Sequence, residues 1–320
     1  MNRREFLVAA ASAAPLVHHC TRLPAMAARE PIALVTADTE AHVVAVSLSS
    51  QRVLSRVRTI EGPRSIQSGP GGVAIVGHSA AGAVTLIEGR PPRVRRVLRG
   101  FEQPRYSVFG PSGRHAFVTD SGSGELAVID IRRGRVVRRI QVGALARHVT
   151  IEPAGKRLWI ALGSSASSIV VVDVSDPLRP RVLRTIQPPF LVHDVGFSPS
   201  GKRVWVTAGR ERKLAIYRAG GERPTTLLPA DVAPQHISFG PSAAYVASGE
   251  GRSLHTHSLT DGRLLHAARI PIGSYNVQRG GARILTPSLN MGTLTLADGR
   301  GRVRSSTRVA KAAHDACVVG

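Results

Sequence analysis

Cysteine is nearly absent from this chain of 320 residues, which has only Cys20 and Cys317. With Cys20 in an N-terminal stretch expected to be removed, no internal disulfide can brace the fold, which must rest on burial of apolar surface. Cys317 lies in an apolar segment and reads as a small core hydrophobe rather than a nucleophile. Aromatic residues are 4 % of the total and do not interleave with the basic runs. That argues against a base-stacking surface, so nucleic acid is not an expected partner. Lysine occurs only at 156, 202, 213 and 311, leaving arginine to carry almost all of the formal charge of +22. Helical periodicity is missing, and no Gly-x-Ser-x-Gly elbow is present to supply a serine nucleophile.

The N-terminus, Met1-Asn-Arg3-Arg4-Glu5-Phe6-Leu7 followed by an Ala-rich stretch to Val17, resembles a twin-arginine export signal. Its apolar part, about 12 residues, is too short to span a bilayer. Pro24-Ala25-Met26-Ala27 places small residues where a signal peptidase reads, so cleavage is expected after Ala27. Val17-His18-His19 is a poor lipobox before Cys20, and lipidation is not expected. The expected division is therefore a leader, 1–27, and one exported domain, 28–320, periplasmic or extracellular and without a transmembrane span. The twin-arginine route carries folded proteins, and it suits those loaded with a metal or cofactor before export.

Against these absences stands a motif that returns seven times: Ala33-Leu-Val-Thr36, Ala74-Ile-Val-Gly77, Ala116-Phe-Val-Thr119, Leu158-Trp-Ile-Ala161, Val204-Trp-Val-Thr207, Ala244-Tyr-Val-Ala247 and Arg283-Ile-Leu-Thr286. The intervals are 41, 42, 42, 46, 40 and 39 residues. Within one interval, Ser107–Phe109, His115–Thr119, Glu125–Ile131 and Arg135–Val142 read as four strands separated by turn residues. Seven such units define an all-β, seven-bladed β-propeller of four-stranded antiparallel blades. After the expected leader the mature chain begins on a second strand, Ile32 to Thr36, and His314-Asp-Ala-Cys-Val-Val-Gly320 aligns with the first strand His193-Asp-Val-Gly-Phe-Ser198. The C-terminal strand is thus expected to complete the N-terminal blade and close the ring.

The predicted fourth strands carry the arginines, among them Arg56, Arg95, Arg138 and Arg304. On the outer edge of a blade they read as a solvated rim that opposes edge-to-edge pairing and attracts anionic surfaces. Trp159, Trp205 and Tyr245 share one second-strand position and are expected to pack between blades.

Gly113-Arg-His-Ala-Phe-Val-Thr-Asp120, Gly124-Glu-Leu-Ala-Val-Ile-Asp130 and Pro199-Ser-Gly-Lys-Arg-Val-Trp-Val-Thr207 resemble the YVTN-type β-propeller repeats of exported and surface-layer proteins. The resemblance covers essentially all of the mature chain. It implies a seven-bladed ring, and its relatives include lactonase-like, streptogramin-lyase-like and copper-binding propellers, so no single activity follows from it.

In a propeller the residues leading into each first strand open on one face around the central channel. Here they are Arg64-Ser65, Arg105-Tyr106, Arg147-His148, His193-Asp194, Gln235-His236, Ser274-Tyr275 and His314-Asp315. Ordinary loops would favour Gly, Ser and Asn at such positions. Three chemistries fit. His148, His193, His236 and His314 are candidate ligands for copper or zinc, although 193 and 314 sit one residue earlier than 148 and 236. His193-Asp194 or His314-Asp315 are candidate catalytic bases of a lactonase- or lyase-like enzyme, although neighbours on a strand point to opposite sides. Arg64, Arg105, Tyr106, Arg147, His148, His236 and Tyr275 are candidate ligand-binding residues, with the arginines suited to an anionic oxygen or carboxylate. The reading adopted is an exported, monomeric binding scaffold for a small ligand or cell-envelope protein; a metal-dependent or lactonase-like enzyme is the alternative.

Overall fold

Alternation is weak along the second and third strands of each repeat because both of their faces are buried. Ile32–Ala37 is buried at every position, and His42–Ser47 at all but the first. Such strands must sit between neighbouring sheets, and the computed structural model, which describes residues 30–320, shows seven four-stranded sheets arranged as a propeller. The expected leader lies outside the described residues.

Blade one joins Ala313–Val319, Ile32–Ala37, His42–Ser47 and Val53–Arg58, from channel to rim. Blade two is Ser65–Ser68 through Arg93–Arg99, blade three Pro104–Phe109 through Arg135–Gln141, and blade four Val149–Ile151 through Arg181–Ile186. Blades five, six and seven begin at Val192–Phe197, Ile237–Phe239 and Gln278–Gly280 and end at Pro224–Pro229, Leu264–Arg269 and Val303–Arg308. The C-terminal strand pairs antiparallel with the first, Leu34 opposite Cys317, closing the ring as the sequence implies. Apart from one 3-10 turn at Pro70–Gly72, no helix occurs among the described residues.

The core lies between blades. Trp159 packs edge-on against Phe197 and Tyr217 of the next blade, and Trp205 against Phe239 and His257. Cys317 is buried among aliphatic side chains, and burial pushes its thiol pKa up. The outer strands alternate instead, as in Pro224–Pro229. Their arginines reach back to acids of the third strands: Arg95 to Glu88, Arg139 to Glu125, Arg181 to Asp173 and Arg304 to Asp298, at 2.6 to 3.2 Å. Exposed pairs of this kind contribute at most about 1 kcal/mol each.

Two kinds of inner strand coexist. Blades one, three and five have a register break at the start of the inner strand, between Val35 and Ala37, Pro104 and Ser107, and Val192 and Val195. Blades two, four and six lack it; there the lead-in N–H bonds the second strand directly, Arg64 to Gly77, Arg147 to Ala161 and Gln235 to Ala247, each at 2.9 Å. Bulges re-aim side chains, and here they lie at the channel mouth.

Candidate functional site

The threonine that ends the repeated motif answers the bulges. Thr36 Oγ1 accepts the N–H of Asp315 (2.9 Å), Thr119 that of Tyr106 (3.2 Å) and Thr207 that of Asp194 (3.0 Å). Each hydroxyl then donates to a lead-in carbonyl of the following blade: Arg64, Arg147 or Gln235. In blade two the motif ends in Gly77 instead, and Ser65 Oγ donates to the carbonyl of Arg105. A Cβ at Gly77 would stand 2.6 Å from that hydroxyl, so the glycine makes room for the substitute. In blade seven Asn276 Nδ2 donates to the carbonyl of His314, 2.8 Å away. These contacts fix the backbone of the ring whose side chains face the channel.

On this frame four lead-in residues from consecutive blades converge. His148, His193 and His236 place one ring nitrogen each within 4.8 Å of the others. Tyr106 stacks on His148 with centroids 4.4 Å apart, and its hydroxyl stands 3.2 Å from His236 Nε2. The one-residue offset of His193 in sequence does not separate it from the other two, because the bulge between Val192 and Val195 turns it into the group. His193 Nδ1 lies 3.0 Å from the carbonyl of Ser164, which fixes that nitrogen as the donor. Asp194 faces not His193 but His236, its Oδ2 lying 3.3 Å from Nδ1. Both ring nitrogens of His148 are buried without a hydrogen-bond partner, in a residue only 1 % exposed.

His314 is not one of the three. Its Nδ1 lies 3.0 Å from the carbonyl of Arg64, an interblade contact. Asp315 likewise forms no dyad with its neighbour; its two oxygens accept the N–H groups of Ile66 and Ala316 at 2.9 and 2.8 Å. Tyr275 is turned away from the group, its ring covering Gly249, where a Cβ would have no room. Two polar residues at the ends of second strands, His78 and Asp120, are buried and spent on local bonds. His78 lies within reach of the Glu61 carbonyl and the Thr85 hydroxyl, and Asp120 accepts from the N–H groups of Glu102 and Gln103.

Burial dominates the electrostatics. It pushes the His148 and His314 pKa values well below the ordinary value and that of His193 down to about 3, so all three rings are neutral at pH 7. It raises Tyr106 to about 12 and Asp315 to about 6. Arg105 is lowered by burial, then by the charges of Arg147 and Arg64. Of these three guanidinium groups only Arg64 has a carboxylate partner, Asp38 at 2.8 Å. Arg105 bonds Gln103 Oε1, and the Arg147 guanidinium lies 5.8 Å from the centre of the Tyr106 ring. The Nε atoms of Arg105 and Arg147 are buried and unpartnered. Below, a cavity of about 290 Å³ runs along the inner strands, lined in part by Tyr106, His148, Asp194 and His236.

The fold and this mouth define a seven-bladed β-propeller with a polar, arginine- and histidine-lined channel face. No family model matches the chain, and no curated protein matches it. Solved structures do. A protein from Bacteroides fragilis provisionally described as a 6-phosphogluconolactonase superposes with a TM-score of 0.76 at 13 % identity, over 93 % of this chain and 100 % of that one. A counterpart from Bacteroides uniformis gives 0.75 at 14 %, over 91 % and 99 %. Hydrazine synthase of Kuenenia stuttgartiensis gives 0.70 at 18 %, over 83 % and 91 %. At these identities the likeness shows the fold alone.

The sequence points to the residues of the mouth but misses two that organise it. Asn276 and Ser164 have no signature, since the first donates to a backbone carbonyl of another blade and the second accepts a side chain of another blade through its own carbonyl. The motif threonine was visible, at Thr36, Thr119, Thr207 and Thr286, as a recurring polar residue inside an apolar run.

Proposed function

We propose that the protein is an exported, YVTN-type binding propeller that holds a small anionic ligand at the channel mouth through Arg64, Arg105 and Arg147. One observation carries this reading. Guanidinium groups from three consecutive blades stand within electrostatic reach of one another, two have no carboxylate partner, and both of these bury an unpartnered Nε. A buried donor without an acceptor is costly, and a carboxylate or phosphate supplies what is missing with charge-assisted, bidentate geometry. Rim arginines such as Arg95 and Arg139 differ in being paired to acids within their own blades.

The test is calorimetric titration with inorganic phosphate, citrate and 6-phosphogluconate, the last chosen from the description of the Bacteroides neighbours. At least one should bind, more weakly as salt rises, and Arg105→Ala with Arg147→Ala should weaken it at least tenfold, about 1.4 kcal/mol. Arg95→Ala and Arg138→Ala on the rim should change nothing. Failure of all three probes to bind, or equal binding by mouth and rim variants, would overturn the reading.

A further inference from the structure

A ligand at the arginines leaves the histidines beneath them unexplained. Three imidazoles from blades four, five and six meet with ring nitrogens within 4.8 Å. Around a tetrahedral ion bound at 2.0–2.1 Å, neighbouring donor atoms stand about 3.3–3.4 Å apart, so side-chain adjustment alone brings the three together. Two of the rings already have the outer nitrogen assigned. His193 Nδ1 is held by the Ser164 carbonyl and His236 Nδ1 by the Asp194 carboxylate, which leaves Nε2 of each as the nitrogen that can bind an ion. This is the arrangement by which protein groups fix the tautomer and raise the basicity of a metal-bound histidine.

His148 supplies the independent sign. It is 1 % exposed, yet both of its ring nitrogens are without a partner, and a buried imidazole left wholly unpaired calls for a ligand or ion. The Tyr106 hydroxyl, 3.2 Å from His236 Nε2, stands at the spacing of a neighbouring donor, and the channel cavity reaches the group from below. Asp194 places one negative charge beside the set.

We infer that His148, His193 and His236 form a tri-histidine site for a divalent ion of the zinc type, with a fourth position facing Tyr106 and the channel. Neutral imidazole suits zinc and copper, and no thiolate is at hand to select a softer ion, because Cys317 is buried in the interblade core. His314 lies outside the site, held to the Arg64 carbonyl.

The experiment is a zinc competition titration against a chromophoric chelator on chelator-stripped, full mature protein, with cobalt absorption as a second readout. One equivalent of zinc should bind, and Co²⁺ should give the intense visible bands of a four-coordinate centre. His148→Ala and His193→Ala should each weaken zinc at least 100-fold, Asp194→Asn about 10- to 100-fold, and His42→Ala and His266→Ala not at all. Should the alanine variants unfold, His148→Gln and the wild-type cobalt spectrum decide. Less than half an equivalent of zinc, an octahedral cobalt spectrum, or undiminished affinity in folded His148→Ala would overturn the inference. None of these measurements uses an anion, so a failed phosphate titration bears on the arginine mouth and not on this site.

Discussion

Asp194 Oδ2 lies 3.3 Å from Nδ1 of His236, which leads into the next blade, whereas His193, its neighbour in sequence, bonds the carbonyl of Ser164. The same carboxylate accepts the N–H of Val195 at 2.8 Å and of Ile237 at 3.1 Å. One side chain thus satisfies its own bulge, the start of the following strand and an imidazole. It is an interblade clamp before it is anything chemical.

Asp194→Ala strands the N–H groups of Val195 and Ile237, and at about 1–3 kcal/mol for each unsatisfied group the expected loss is about 2–6 kcal/mol. Asp194→Asn keeps one acceptor and should lose about half as much. Urea denaturation followed by tryptophan fluorescence measures both, since Trp159 and Trp205 are buried in the interblade core. A loss below about 1 kcal/mol for the alanine variant would show that the clamp is dispensable.

The motif threonines divide in the same way. Thr207 Oγ1 accepts from Asp194 N and donates to the Gln235 carbonyl at 2.6 Å, while Thr286 Oγ1 is buried with no partner. Valine has nearly the same shape but no hydroxyl. Thr207→Val should therefore cost about 2–4 kcal/mol, and Thr286→Val should be neutral or stabilising because it removes an unpaired buried hydroxyl. Equal losses from the two substitutions, measured by urea denaturation, would mean that the latch carries no weight.

The contrast explains what could be read from the chain itself. Strands buried on both faces leave continuous apolar runs, so the seven second strands and the ring closure are legible. The residues of the mouth are legible too, because Arg, His, Tyr and Asp are unusual where turns favour Gly and Ser. Their convergence is not. It depends on the bulge between Val192 and Val195, a backbone irregularity with no residue signature, which brings His193 into register with His148 and His236. Tyr275 shows the converse. Its position matches the others, but the inner strand of blade seven begins only at Gln278, and the ring turns onto Gly249. Thr207 and Gln235 are 28 residues apart in sequence, beyond what a local pattern can connect.

Asp315 gives the fold a pH dependence of definite sign. The carboxyl is 2 % exposed, and burial raises its pKa from 3.8 to about 6 against the opposing pull of the Ile66 N–H. Below about pH 3.8 it is protonated in folded and unfolded chains alike and makes no difference between them. As pH rises from 3.8 to about 6 the unfolded chain loses the proton first, so the folded state binds more protons and stability falls. Above about pH 6 the loss is complete, at about 3 kcal/mol for a shift of about two units. Asp173, held below the usual carboxylate range by the Ser175 N–H, acts in the opposite sense, but it is common to wild type and variant. The difference in unfolding free energy between wild type and Asp315→Asn, taken by urea titration at intervals from pH 4 to pH 7, therefore isolates the group. Wild type should lose about 2.5 kcal/mol relative to the asparagine variant across that range, the remainder of the total falling below pH 4. A difference that stays level would mean that Asp315 ionises in the folded ring as it does in water, and that the channel wall beside Ile66 is wet.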